Sequence, residues 1–406
     1  MSAFAIILLS ESFFGGAQKR FLNLHLFLRK KYGNRAWFIV TQSMKTEIIS
    51  VLGEEYTDGI FAIGEIPQNI GQAKKPIKTN SRDSVLYKLI KKTGILYFYS
   101  YYKSKQRAYR DFEQIDRFAR EKKINSFLAV YNGVLPLYFY MNMKDRSKRI
   151  VFSNMDSWFS HFEKNPIKRY LNQYTLFHRA HEESDHIDFL SPFILDGVKS
   201  KNYLPPKQNY SITACSFIDF EKCFSSEKSQ PEFVFSGRLE EDKNPLLFLN
   251  AAIHLSDSHP NVKFHILGKG RLSEKIQSTI KASKFNNIIY HGYTPNPCEF
   301  FAESSVLVSL QKENNYPSQS VLEAMACGNA IIASDVGDTR LFINSENGWL
   351  INNSQKELED AMLYCIRNHE ETLIKGKFAQ TYVKEHFNIE RAAEYYYSLL
   401  NPEINE

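Results

Sequence analysis

Apolar residues fall along this chain in two rhythms. Short unbroken runs mark strands buried on both faces of a parallel sheet, and they alternate with stretches where apolar positions return every three or four residues, as on one side of a helix. The first run is Phe4-Ala5-Ile6-Ile7-Leu8-Leu9. Gly15-Gly16 follow in a loop, then Phe21, Leu24 and Leu28 at helical spacing up to Lys31, then the run Trp37–Val40. Strand, glycine loop, helix and strand in that order make a βαβ unit. Further strands are predicted at Phe127–Tyr131, Arg149–Ser153 and Ile187–Leu190. Residues 67–123 read as largely helical, with a loop near Pro67–Asn80.

The pattern breaks at Leu204-Pro205-Pro206-Lys207, a linker signal. It restarts with Phe233-Val234-Phe235 and then alternates regularly. Strands are predicted at Lys263–Leu267, Ile288–His291, Val306–Leu310 and Ala330–Ser334. Helices are predicted at Pro245–Ser256, Leu272–Lys284, Glu299–Glu303 and Ser320–Cys327, and Gln355–Leu400 is mostly helical. The fold class is therefore α/β, with two doubly wound Rossmann-like domains. Such domains bind ligands at the carboxyl ends of their strands, so a cleft between the two is the expected site.

Composition narrows the class. The chain has 406 residues, 43% hydrophobic and 24% charged, enough apolar material for two cores and too much for a disordered chain. Its formal charge is +6, unevenly spread. Residues 1–205 carry 32 Lys and Arg against 19 Asp and Glu, while residues 206–406 carry 19 against 26. The two halves are expected to face different partners. Five cysteines, odd in number and without a CxxC pair, indicate a reducing compartment and neither a disulfide framework nor a zinc site. No secretory signal or membrane-spanning run is evident, so the expected location is cytoplasmic. Lys74–Arg110 holds eleven Lys and Arg against the single acid Asp83, interleaved with apolar and aromatic residues. That composition suits a helix lying on anionic lipid, and equally a solvated basic helical pair.

Three segments carry chemistry. In Ser236-Gly237-Arg238-Leu239-Glu240-Glu241-Asp242-Lys243-Asn244-Pro245, a glycine after a strand is followed by two cations beside a helix start. A guanidinium, an ammonium and helix-end N–H groups suit a diphosphate, although two solvated cations in a loop would read alike. Gly268-Lys269-Gly270-Arg271-Leu272 opens like a dinucleotide fingerprint, but Ser273 stands where the third glycine belongs and no acidic residue follows at the right distance. It is read as a tight turn beside a base. The densest segment runs from Glu313-Asn314-Asn315-Tyr316-Pro317-Ser318-Gln319-Ser320 through Val321-Leu322-Glu323-Ala324-Met325-Ala326-Cys327-Gly328. Here a polar loop enters a short helix that Ser318 or Ser320 could cap. Val321, Leu322 and Met325 are expected to face a core. Glu323 is expected on a separate polar face, where a carboxylate can accept two vicinal hydroxyls.

These segments, with Asn347-Gly348-Trp349-Leu350, resemble the retaining nucleotide-sugar glycosyltransferases of family four (glycosyltransferases group 1), which have the GT-B fold. The likeness covers most of residues 230–352 and extends only loosely, through Gly15-Gly16, to the first half. It implies two Rossmann-like domains, 1–205 on the acceptor side and 206–385 on the nucleotide-sugar side, with a C-terminal helix in 386–406 packing back on the first. Arg238, Lys243, the backbone of Ser320 and Val321, and Gly16 would bind the donor diphosphate. Glu323 would hold the ribose, and Gly268, Tyr293 and Thr294 would border ribose and base. Asn315, Tyr316, Pro317, Ser318 and Gln319 would face the donor sugar. The family usually has a glutamate at the position of Asn315, so this departure leaves the sugar open, and Glu313 lies two residues too early to replace it.

On the acceptor side Asp156, in Ser153-Asn154-Met155-Asp156, is the candidate near the reacting centre, with Asn132 a second strand-end candidate. Asp156 would equally serve as a helix cap. His178, His181 and His186 do not form HExxH, and no P-loop is present. The expected activity is transfer of a sugar from a nucleotide-diphosphate donor to a hydroxyl of a saccharide acceptor carried on a lipid pyrophosphate, in bacterial surface-polysaccharide assembly. The expected catalytic pair is Asp156 and Asn315. No metal or other cofactor and no nucleic acid is expected. A nucleotide-sugar epimerase or hydrolase of the same fold, and a basic nucleic-acid-binding protein, are the alternative readings.

Overall fold

A computed structural model describes residues 2–10, 16–64, 95–141, 148–154, 182–200, 204, 209–213, 217–218, 220–221, 223–314 and 316–402. The chain divides into two compact units, one made of Met1–Thr213 and Ala393–Glu406, the other of Ala214–Ala392. Among the described residues every strand pair in both sheets is parallel.

The first unit is built on seven strands: β1 (Ala3–Leu8), β2 (Ala36–Thr41), β3 (Ile60–Ile63), β4 (Ile124–Val130), β5 (Arg149–Asn154), β6 (His186–Phe189) and β7 (Tyr210–Ile212), in the sheet order β3-β2-β1-β4-β5-β6-β7. All six residues of β1 are buried, as an unbroken apolar run at the centre of a parallel sheet requires. Helices α1 (Gly16–Tyr32), α2 (Gln42–Leu52), α3 (Ile95–Glu121), α4 (Val134–Met141) and α5 (Pro192–Ser200) join the strands. Thr41 ends β2 and caps α2, its Oγ1 accepting from the Met44 N–H at 3.2 Å. The unit ends at 213 rather than at the expected 205, because β7 lies beyond Pro205-Pro206 and pairs with β6. Of the basic segment, residues 65–94 lie outside the described residues. The rest is the start of α3, which buries Ala108, Phe112, Ile115 and Ala119 and exposes Lys103, Lys105, Arg107 and Arg110.

The second unit has six strands: β8 (Glu232–Ser236), β9 (Lys263–Leu267), β10 (Ile288–Gly292), β11 (Val306–Ser309), β12 (Ala330–Ser334) and β13 (Gly348–Ile351), in the order β10-β9-β8-β11-β12-β13. Its helices are α6 (Pro245–Ser258), α7 (Ser273–Ser283), α8 (Cys298–Glu303), α9 (Gln319–Ala326), α10 (Gln355–Arg367) and α11 (His369–His386). One apolar cluster (Phe233, Phe235, Phe248, Phe264, Leu358) lies on one face of the sheet, and a second (Val234, Leu307, Leu322, Met325, Val383) lies on the other. The successive residues Phe233 and Val234 fall into different clusters, as alternation along a strand demands.

Helix α12 (Ile389–Leu400) starts within the second unit, and from Ala393 onward it belongs to the first. There Tyr395 Oη donates to Asp188 of β6 at 2.7 Å, Tyr396 Oη at 3.1 Å, and Ser211 Oγ of β7 at 2.9 Å. Arg149 Nε donates to the Leu399 carbonyl at 2.6 Å, and Tyr397 stacks on Tyr32 with ring centroids 4.1 Å apart. Asp188 is fully buried, and burial pushes its carboxyl up to about 7 against the pull of the three hydroxyls. Among the described residues no helix is long and apolar enough to cross a membrane.

Candidate functional site

In the second unit the chain runs from β8 outward through β9 to β10, then returns to the other side of β8 as β11. The connections leaving the carboxyl ends of β8 and β11 therefore diverge, which opens a crevice at the strand ends. Four of the segments singled out in the sequence reach this edge: Gly237–Lys243 after β8, Gly268–Gly270 after β9, Tyr293-Thr294 after β10, and the loop that leads from β11 into α9.

The first two segments lie backbone against backbone. Gly237 N–H donates to the Leu267 carbonyl at 3.1 Å, Leu239 N–H to Lys269 at 3.0 Å, and Leu272 N–H to Leu239 at 3.0 Å. Gly268, at φ +135°, is where contact is closest: a Cβ there would lie 1.8 Å from the Gly237 carbonyl oxygen. Only glycine fits that position. Its N–H donates to Gly292 at 2.7 Å, and its carbonyl accepts from Tyr290 Oη at 3.1 Å. Tyr293 and Thr294 follow β10, both half-buried.

The two cations of the β8 segment differ in setting. The Arg238 side chain is 68% exposed and pairs with Asp242 at 3.0 Å. Lys243 is 15% exposed; its Nζ donates to Gln311 Oε1 at 2.6 Å and lies 4.0 Å from Asp242 Oδ2. Burial pulls its ammonium down to about 8, the Asp242 charge opposes that shift, and the Arg238 charge adds to it. Asn244, in the left-handed region at φ +53°, turns the chain into α6, and Pro245 fills the first turn, where a missing N–H costs nothing.

Ser318 is the residue before α9, extended at φ −70°, ψ 124°; its carbonyl accepts from the Leu322 N–H at 3.1 Å, while its hydroxyl makes no capping bond. The N–H groups of Gln319, Ser320 and Val321 therefore have no acceptor within the helix and carry the positive end of its dipole. Val321, Leu322 and Met325 are buried as expected. Glu323 is not on a polar face. It is only 6% exposed, and Gln319 Nε2 donates to its Oε1 at 3.3 Å and to the Phe217 carbonyl at 3.2 Å. Gln319 Oε1 is buried without a partner among the described residues. Tyr316 packs edge-on against Phe342 with ring centroids 5.2 Å apart, and Pro317 is buried. Asn314 Oδ1 accepts from the Asp338 N–H at 3.0 Å, which fixes the loop against the turn after β12.

Asn315 and Asp156 lie outside the described residues, as do His178 and His181. Gly16 is the first residue of α1, and Asn132 is exposed in a 3-10 turn, Tyr131–Gly133, after β4; both belong to the first unit. His186 lies in β6, its Nε2 2.8 Å from Ser211 Oγ.

Two groupings have no sequence signal. Gln311, 68 positions from Lys243, anchors it. Cys223, Cys298 and Cys327 converge with all three Sγ atoms within 4.8 Å, a thiol cluster that their spacing argued against. All three are buried. Their mutual contacts and burial push the Cys223 thiol far up.

Comparison with known proteins bears on the family and the fold. Residues 230–368 match the family model described as glycosyl transferases group 1. An uncharacterized glycosyltransferase of Methanocaldococcus jannaschii is 22% identical over 289 residues, 68% of this chain and 74% of that protein. The poly(ribitol-phosphate) alpha-N-acetylglucosaminyltransferase of Staphylococcus aureus is 28% identical over 146 residues, 34% of this chain and 29% of that one. The solved structure of Anabaena HepE in complex with UDP and glucose superposes with a TM-score of 0.69, covering 98% of this chain and 99% of that one at 13% identity. The two Rossmann-like units are those of the GT-B glycosyltransferase fold.

Proposed function

We propose that this glycosyltransferase, whose residues 230–368 match the group 1 family model, moves a sugar from a UDP-linked donor to a saccharide hydroxyl with retention at the anomeric carbon. One observation carries the reading: at the β8/β11 switch Lys243, Arg238 and the first turn of α9 supply positive charge, and the buried Glu323 carboxylate stands one turn further in. A leaving diphosphate gathers negative charge as the glycosidic bond breaks. Fixed donors already aimed at it stabilise that charge without reorganising. Lys243 is suited to this because its near-buried ammonium is little screened by water. Glu323 has the acceptors for a ribose diol, and the spare Gln319 Oε1 adds another.

The UDP complex of the HepE neighbour supports uridine as the first base to test. Among the described residues no second carboxylate is assigned as a nucleophile here, so we do not adopt a double-displacement scheme. Front-face attack, with the departing phosphate helping to take the acceptor proton, is the mechanism we adopt. A saccharide on a lipid pyrophosphate is the proposed acceptor, supported by the eleven basic residues of Lys74–Arg110.

A thermal-shift panel of UDP, GDP and ADP and their sugars tests the donor site on wild type, Arg238→Ala and Glu323→Ala. Stabilisation by UDP compounds that is reduced in both variants is expected. A nucleotide shift that survives both substitutions undiminished would refute the site. Flotation with phosphatidylglycerol vesicles tests the membrane arm, and equal recovery with neutral vesicles would refute it.

A further inference from the structure

We propose that Gln311 is a positioning residue for the donor site, holding the Lys243 ammonium in place and charged through a hydrogen-bonded relay that spans the strand ends. This deepens the donor-site reading and rests on it.

The relay is continuous. Lys243 Nζ donates to Gln311 Oε1 at 2.6 Å, and Gln311 Nε2 donates to Ser309 Oγ, at the end of β11, at 3.2 Å. The Gln311 carbonyl accepts from Asn353 Nδ2 at 2.7 Å, and Asn353 Oδ1 accepts from Ser334 Oγ, at the end of β12, at 2.6 Å. The Lys312 N–H donates to the Asp242 carbonyl at 3.0 Å, tying the same stretch to the β8 loop. Both ends of the Gln311 amide are thus used, which fixes which end faces Lys243. A long lysine side chain has several rotatable bonds, and an acceptor 2.6 Å from its tip removes most of that freedom before a ligand arrives.

The acceptor also favours the charged form. Lys243 is mostly buried, and burial disfavours the ammonium. Of the charged groups around it, Asp242 is shared with Arg238 at 3.0 Å, and Arg238 opposes the second positive charge. Glu241 pairs with Lys312 at 3.8 Å, and Asp335 is engaged by Arg340. The groups arriving from β11, β12 and the stretch after β13, namely Ser309, Gln311, Ser334 and Asn353, are neutral. Gln311 Oε1 is therefore the neutral acceptor that favours –NH₃⁺ over –NH₂.

Two substitutions separate this from a merely structural role. Gln311→Met keeps the length and removes the acceptor; Gln311→Glu keeps the acceptor and adds a charge. The protonation midpoint of Lys243 is read without ligand, from the pH dependence of its acetylation by acetic anhydride with mass-spectrometric detection. UDP affinity is followed by calorimetry over the same pH range. The midpoint is expected to fall by about one pH unit in Gln311→Met and to rise by about one in Gln311→Glu. UDP binding to Gln311→Met should weaken about twofold at pH 7 and about tenfold at pH 9, and recover on acidification. A midpoint unchanged in both variants, or moved the same way in both, would overturn the inference. If the midpoints move in opposite directions and the wild type binds no nucleotide, the positioning role stands and the donor reading falls.

Discussion

Asp188→Asn is the sharpest test of the first unit's architecture. The Asp188 carboxyl is fully buried under Tyr395, Tyr396 and Ser211, and its pKa is pushed from 3.8 up to about 7, mainly by burial. The folded state therefore holds the proton more tightly than the unfolded chain does. Stability from this group is fully present below pH 3.8, falls as pH rises, and is lost once pH passes about 7. The gap of about three pH units corresponds to about 4 kcal/mol, of which about 2.6 kcal/mol falls between pH 5 and pH 8. An asparagine keeps an acceptor for the tyrosine hydroxyls and does not titrate. Melting of wild type and Asp188→Asn, followed by intrinsic fluorescence at pH 5 and pH 8, separates this group from all others, since their contributions cancel in the double difference. Wild type should lose more than the variant on going to pH 8, by about 5–10 °C in the midpoint of the first unit. Melting points that move in parallel would show that Asp188 is ionised in the folded protein across this range and would refute the reasoning.

Four further outcomes are expected. Lys243→Ala should weaken UDP binding about 100-fold and Arg238→Ala only about tenfold, because the exposed guanidinium is screened by solvent and the lysine is not; calorimetry at two salt concentrations checks both the order and the cause. Glu323→Gln should cost about 10- to 100-fold in UDP affinity, and a comparison with 2′-deoxy-UDP would show whether the lost contact is to the ribose. Gly268→Ala forces a Cβ onto the Gly237 carbonyl and a positive φ onto alanine, so the second unit should lose on the order of 3 kcal/mol or more, seen as a lowered melting midpoint. Cys223, Cys298, Cys327 and Cys365 are all buried, and burial pushes Cys365 up to about 12, so Ellman's reagent should label these four only as the protein unfolds.

The strands were legible where they are central. Runs such as Phe4–Leu9 and Ala330–Ala333 are apolar throughout because both faces are covered. The missed strands lie at sheet edges. In β7, Tyr210-Ser211-Ile212 is largely exposed, and β13 begins with a glycine and is half-exposed at its centre. With one side unpaired they need no continuous apolar run. The glycines and cations of the site could be read because their spacing is local to one loop. Its supports could not. Gln311 meets Lys243 across 68 positions, and Tyr396 meets Asp188 across 208. Gln319, one turn before Glu323 on α9, also reaches the carbonyl of Phe217 across 102 positions, a neighbour the local sequence does not announce.

The final turns of α12 have a consequence for how the chain reaches its native state. The first unit is assembled from two separated stretches, Met1–Thr213 and Ala393–Glu406, while the second is one unbroken stretch. During synthesis the second unit has all its residues before the first does. Until Tyr395 and Tyr396 leave the ribosome, Asp188 lacks two of its three hydroxyl donors, and Phe4 and Tyr32 lack the ring of Tyr397. The half that begins first is thus completed last, because every residue of the second unit is synthesised before the stretch from Ala393 onward that closes the first.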